Sequence, residues 1–187
     1  MDLGKTLYVT NRKQWSSWLA KNHNKEKEIW LIYFKKSSGK KRIPYNDAVE
    51  EALCYGWIDS ILKGIDEEKF AQRFTPRTSK SNLSEMNKER IRLLVKQKKM
   101  KSVGLTAIQH VSFDPTKNTK LKIALDILKS LKKDKQTWEN FQKFPEFYKH
   151  IRIGGIEEAR TRPEMFKTRL TYFLKMTAKN KKYGMVQ

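Results

Sequence analysis

Apolar residues recur along this chain with two different periods, and the change between them divides it. Trp15, Trp18 and Leu19 follow Thr10-Asn11 at helical spacing, which predicts a short helix over about 12–22 with Thr10 or Asn11 as its N-cap. Residues 28–36 are dense in β-branched and aromatic side chains and run into Ser37-Ser38-Gly39-Lys40, the pattern of a strand followed by a turn. Because its apolar residues are consecutive, this strand is expected to be covered on both faces. Pro44-Tyr45-Asn46-Asp47 then opens a helix with Val49, Ala52, Leu53 and Gly56 on one face, where the glycine admits another backbone. Residues 57–65 and 69–77 read as extended and Asp66-Glu67-Glu68 as the turn between them, so a hairpin paired with the strand at 28–36 is expected.

Asn82 with Glu85 three residues later resembles a capping box, and Met86, Ile91, Leu94 and Val95 give a helical stripe after it. A second short helix is predicted over 102–111. From Phe113 to Asn118 periodicity is lost, and from 120 onward only helical patterning remains, with breaks expected at Pro145, Gly154-Gly155 and Pro163. The expected fold is therefore α+β: a small antiparallel sheet with flanking helices over residues 1–113, followed by a helical C-terminal module over 118–187. Phe166, Leu170, Phe173 and Leu174 form an apolar stripe with Lys and Arg on the other faces, and this helix is expected to pack on its own module rather than on a membrane.

Composition narrows the function classes. The longest apolar run, Ile29 to Phe34, is far short of the ~20 residues that cross a bilayer, so no transmembrane segment is expected. Residues 1–5 start no apolar stretch of the roughly 7 to 15 residues a secretory signal uses, and a cytoplasmic location is expected. A lone cysteine, Cys54, excludes an internal disulfide and cysteine-rich zinc modules. His23, His110 and His150 are too far apart in sequence for a helical metal pair, so no metal and no cofactor are expected.

Charge is the dominant compositional feature. The chain carries 41 Lys and Arg against 20 Asp and Glu, a formal net charge of +21. Basic and acidic side chains number 23 and 13 in residues 1–114 and 18 and 7 in residues 115–187, so the excess runs throughout. Spread in this way, it reads as a solvated lysine surface that gives weak, non-specific nucleic-acid binding and leaves room for an acidic protein partner. No zinc finger, phosphate loop or RNA-recognition signature accompanies it.

Three groups of residues are candidates for chemistry. Cys54 lies beside the apolar face of a helix with no histidine near it in sequence, the pattern of a buried, inert thiol. Glu50, Glu51 and Asp59 offer carboxylates, but Glu50 and Glu51 point to different faces of their helix. The segment Arg73-Phe74-Thr75-Pro76-Arg77-Thr78-Ser79-Lys80-Ser81 gathers cations and hydroxyls where a strand gives way to a helix N-terminus, a place where anions bind. Asp59 on the partner strand is expected to pair one of these arginines. The candidate ligand and anion set is Asp59, Arg73, Arg77, Ser81 and Asn87; the competing reading is that the arginines form internal salt bridges.

Residues Tyr45 to Asp59, followed by Arg73-Phe74-Thr75-Pro76-Arg77 and Ser81 to Lys88, resemble the YdeI/OmpD-associated family, the bacteriocin-protection proteins. Trp18, Ile29-Trp30-Leu31, Ile156 to Arg160 and Arg169-Leu170 extend the resemblance along nearly the whole chain. It departs at Leu83, where the family commonly has Trp, and at Met165-Phe166, where it has Thr-Arg. The resemblance implies a bacterial cytoplasmic protein in a protective, stress-resistance role and assigns no catalytic residue. A non-catalytic binding protein is the first reading, an enzyme or small-molecule binder near Asp59, Arg73 and Arg77 the second, and nucleic-acid binding the third.

Overall fold

The computed structural model describes residues 3–117 and 120–184. Asn118, the last residue of the expected boundary segment, lies outside them. The chain divides into two compact units, one comprising Met1–Asn82 with Ile91–Asp114, the other Leu83–Arg90 with Pro115–Gln187.

In the first unit, β1 (Thr6–Leu7), β2 (Ile29–Phe34), β3 (Trp57–Gly64) and β4 (Lys69–Pro76) form a sheet of order β1-β2-β4-β3. The three long strands pair antiparallel, as the pattern predicts, while the two-residue β1 adds a parallel pair and makes the sheet mixed. Asp66 closes the hairpin: its Oδ1 accepts from the backbone N–H of Glu68 and Lys69, both at 2.9 Å. Register between β3 and β4 slips between Asp59 and Leu62, a bulge that turns Ile61 and Leu62 outward.

Helix α1 (Arg12–Asn22) is capped by Asn11, whose side chain accepts from Gln14 N–H. Helix α2 (Tyr45–Cys54) begins after Pro44 and buries Ala48, Val49, Ala52 and Leu53. Between sheet and helices lies an aromatic core. Trp15 stacks on Trp18 and meets Phe74 edge-on, and Trp18 meets Trp57 edge-on. Both buried indoles find acceptors, Trp15 in the Ala48 carbonyl at 3.0 Å and Trp57 in that of His23 at 3.1 Å, as desolvated N–H groups require.

Gly56 ends α2 with φ +74, in the left-handed region, and turns the chain into β3. Helix α4 (Ser102–Thr106), shorter than the 102–111 the pattern predicts, packs Gly104 onto that corner. A Cβ on Gly104 would sit 2.7 Å from the Leu53 carbonyl oxygen, so only glycine fits.

Helix α3 (Glu85–Lys96) is shared: its first residues belong to the second unit, and Ile91 and Leu94, both buried, to the first. Its start differs from the expected capping box. Ser84, not Asn82, supplies the cap oxygen, accepting from Asn87 N–H at 3.4 Å.

The second unit adds α5 (Leu125–Lys132), α6 (Lys135–Lys143), α7 (Glu146–Glu157) and α8 (Pro163–Ala178) around Ile127, Leu131, Phe141, Tyr148, Ile153 and Phe173. The break expected at Gly154-Gly155 does not occur; α7 runs through both glycines. A Cβ at Gly154 would overlap the Glu85 side chain, so that glycine answers a packing need rather than a turn. The stripe on α8 packs inward, with Phe173 fully buried and Phe166, Leu170 and Leu174 against the same core. Among the described residues, no helix is long and apolar enough to cross a membrane.

Candidate functional site

At the exit of β4, the backbone N–H of Arg77 donates to the Gly56 carbonyl at 2.8 Å, which fixes where the side chain starts. That side chain is 8% exposed. Its Nη2 donates to the Asn82 carbonyl at 2.6 Å and, more weakly, to that of Ser81 at 3.5 Å. Nε and Nη1 are buried and have no hydrogen-bond partner among the described residues. A guanidinium offers five N–H donors, so three of the five are left over. Burial lowers the affinity of Arg77 for its proton, and the charge of Asp59 offsets this only in part.

Asp59 is answered from another direction: Tyr45 donates its hydroxyl to Asp59 Oδ2 at 2.6 Å. Beneath α2, the Tyr33 hydroxyl is also buried without a partner. Burial pushes the Tyr33 phenol up, and the nearby Tyr45 and Asp59 add to it. Asp59 thus carries negative charge felt both by Arg77, which has two nitrogens without a hydrogen-bond partner among the described residues, and by the unpartnered Tyr33 hydroxyl.

The remaining predicted residues divide. Arg73 does not join Arg77 or Asp59. Its Nε donates to Glu28 Oε2 at 2.8 Å, and its Nη2 makes a second bond to the same oxygen. Strand parity explains this: Asp59 lies opposite Phe74, so its side chain shares a face with Phe74 while Arg73, one residue earlier, takes the other. The pair holds Glu28 below the usual carboxylate range, chiefly through the Arg73 hydrogen bond. Ser81 is local to Arg77: its hydroxyl accepts from Thr78 N–H at 3.0 Å, and a ring nitrogen of His110 lies 3.2 Å from its carbonyl. Asn87 belongs to the second unit, where its Oδ1 accepts from Arg90 at 2.9 Å.

Glu50 and Glu51 serve Arg12. Together with Asp47 they surround its guanidinium, Asp47 at 2.8 Å, Glu51 at 3.3 Å and Glu50 in direct contact. Burial pulls Arg12 down, but the bonds to Asp47 and Glu50 outweigh it and hold the group above its ordinary value. Cys54 is buried, and burial pushes its thiol up to about 12, which leaves it protonated and unreactive at neutral pH.

Sequence patterning did not single out Tyr33, Tyr45 or Glu28 as site residues. Tyr45 is the first residue of α2 and could be placed there, but its reach to Asp59 needs the sheet. Among the described residues, one group of His, Cys, Asp and Glu converges closely enough to hold a metal: Glu85, Glu89 and His150.

A family model described as a domain of unknown function (DUF8412) matches residues 7–107, more than half the chain, and spans Arg12, Tyr33, Tyr45, Asp59 and Arg77. No curated protein and no solved structure matches.

Proposed function

We propose a function for this chain, which belongs to the DUF8412 family, from a buried arginine that keeps two of its nitrogens without a hydrogen-bond partner among the described residues: it is a non-catalytic binding protein that takes a small oxyanion at Arg77. The observation that carries the reading is the guanidinium with Nε and Nη1 buried and unpartnered. A buried cation whose nearby negative charge offsets its burial only in part is costly to the fold, and an anion that supplies charge and acceptors together reduces that cost. Arginine suits phosphate, sulfate or carboxylate, because its planar donors match their oxygens. The turn at 78–82 supplies both carbonyls to Nη2.

Among the described residues, no hydrogen bond joins the Ser81 or Thr78 hydroxyls near Arg77 to His110, whose ring nitrogen lies against the Ser81 carbonyl instead. Cys54 is protonated and Asp59 is engaged by Tyr45, which supports binding rather than catalysis. The resemblance of Tyr45 to Asp59 and of the following Arg-Phe-Thr-Pro-Arg segment to bacteriocin-protection proteins supports a protective role in a bacterial cytoplasm. The lysine surface adds weak, salt-sensitive attraction to nucleic acid.

Crystals grown with selenate test the site. The expected result is an anomalous selenium peak within hydrogen-bond reach of Arg77 Nε or Nη1. Selenate found only on surface lysines would overturn it.

A further inference from the structure

We infer that Glu85, Glu89 and His150, in the second unit, form a binding site for a divalent first-row transition cation, a property separate from the anion reading at Arg77. The argument starts on α3. Residues four apart share a helix face, so Glu85 and Glu89 project together one turn from each other. Like charges at that spacing repel, and the fold nevertheless keeps both half-buried, with side-chain exposures of 24% and 15%. His150 of α7, 14% exposed, brings its Nδ1 to 3.9 Å from Glu89 Oε1. One ligand atom from each of the three lies within 4.8 Å of the other two.

This arrangement is held from outside the cluster. Gly154, one turn beyond His150 on α7, leaves the space that the Glu85 side chain occupies. The Glu85 backbone N–H donates to Glu158 Oε1 at 3.1 Å, which ties the start of α3 to the end of α7. The 3.9 Å gap is too long for a hydrogen bond. It is close to the separation of two ligands that share one ion, about 3.4 Å for bonds of about 2.1 Å at the tetrahedral angle. Rotation of the side chains closes the difference.

Donor chemistry chooses the ion. Two carboxylate oxygens and one imidazole nitrogen suit zinc, cobalt or manganese, whereas magnesium and calcium take oxygen ligands almost throughout. Three protein ligands leave at least one position for water. At present Lys88 lies against Glu85 Oε1 and supplies the positive charge there, so it competes with the ion.

The test uses the full chain after removal of metal with a chelator. Titration with Zn²⁺ should show one saturable site, and Co²⁺ should give a visible absorption band that Zn²⁺ abolishes. Mg²⁺ should bind at least about a hundredfold more weakly. Glu89→Gln, which keeps the side-chain shape, and His150→Ala should each weaken Zn²⁺ binding about tenfold or more. Lys88→Met should tighten it, because the competing ammonium is gone. No saturable uptake by the unaltered chain, unchanged affinity in a folded Glu89→Gln chain, or weaker binding in Lys88→Met would overturn the assignment.

Discussion

Two arginines of the first unit, each drawn out of water, end in opposite electrostatic states. At the corner of α1 and α2, Arg12 meets three carboxylates from successive turns of one helix, and its charge is held more firmly than in water. At the exit of β4, Arg77 meets only backbone carbonyls on one of its nitrogens, and burial works against its charge. The first arrangement is complete and needs nothing further; it fastens two helices. In the second, Nε and Nη1 are buried with no hydrogen-bond partner among the described residues. Arg73 falls with Arg12 in this comparison, because Glu28 takes two of its nitrogens. The difference separates cations that end in ion pairs from one that ends on backbone carbonyls, and residue type alone does not make it.

The comparison is broken most severely by removing the support on which Arg77 stands. Gly104→Ala places a methyl group against the carbonyls that end α2, beside the Gly56 corner whose carbonyl holds Arg77 N–H. Overpacking against backbone should cost about 3 kcal/mol. Urea unfolding measures it, and a loss below about 1 kcal/mol would mean that the corner yields more easily than its geometry indicates.

Next in size is Arg12→Ala. It leaves Asp47, Glu50 and Glu51 facing one another across a partly buried corner, and should cost about 2 kcal/mol, less than a fully buried pair because the guanidinium is part exposed. A variant as stable as the original chain would show that Arg12 is no more a structural cation than Arg77.

The smallest effect belongs to the Arg73 pair. Glu28 is held below its ordinary value of 4.5 in the folded chain, so its contribution is present above that pH and is lost as pH falls through the lowered value. Glu28→Gln should therefore be slightly less stable at pH 7, by no more than the ~1 kcal/mol of an exposed ion pair, and the two chains should converge in acid. Parallel stability curves down to pH 2 would contradict the pairing.

Much of the first unit was legible in its sequence. The consecutive apolar run at Ile29–Phe34, the Asp66 turn and the stripe of α1 each state a local preference that the fold follows. Elsewhere the deciding partner lies far along the chain. Two residues of β1 carry no periodicity and take their direction from β2. Gly154-Gly155 reads as a break, but α7 continues through both, and at Gly154 it is the Glu85 side chain that occupies the space a Cβ would take. The Arg-Phe-Thr-Pro-Arg segment was visible as a concentration of charge, yet which arginine finds a counter-charge depends on register. Register puts Arg73 on the face away from Asp59, and a partner for it 45 residues upstream in Glu28. That Arg77 forms no ion pair among the described residues is a property of the assembled fold and has no signature in any window of the sequence.

The central claim, that Arg77 and not the general positive charge recruits an anion, is tested most directly by phosphate affinity at constant ionic strength in three chains: the original, Arg77→Met and Arg12→Met. Both variants lose one positive charge, so attraction by the lysine surface falls equally in each. The account predicts that Arg77→Met keeps close to the original stability and binds phosphate about tenfold more weakly or worse, the loss of one charge-assisted contact set. Arg12→Met should bind phosphate nearly as the original chain does, weaker only by the small loss of general charge that both variants share. Equal phosphate affinity in the original and Arg77→Met chains, or an equal loss in both variants, would contradict it.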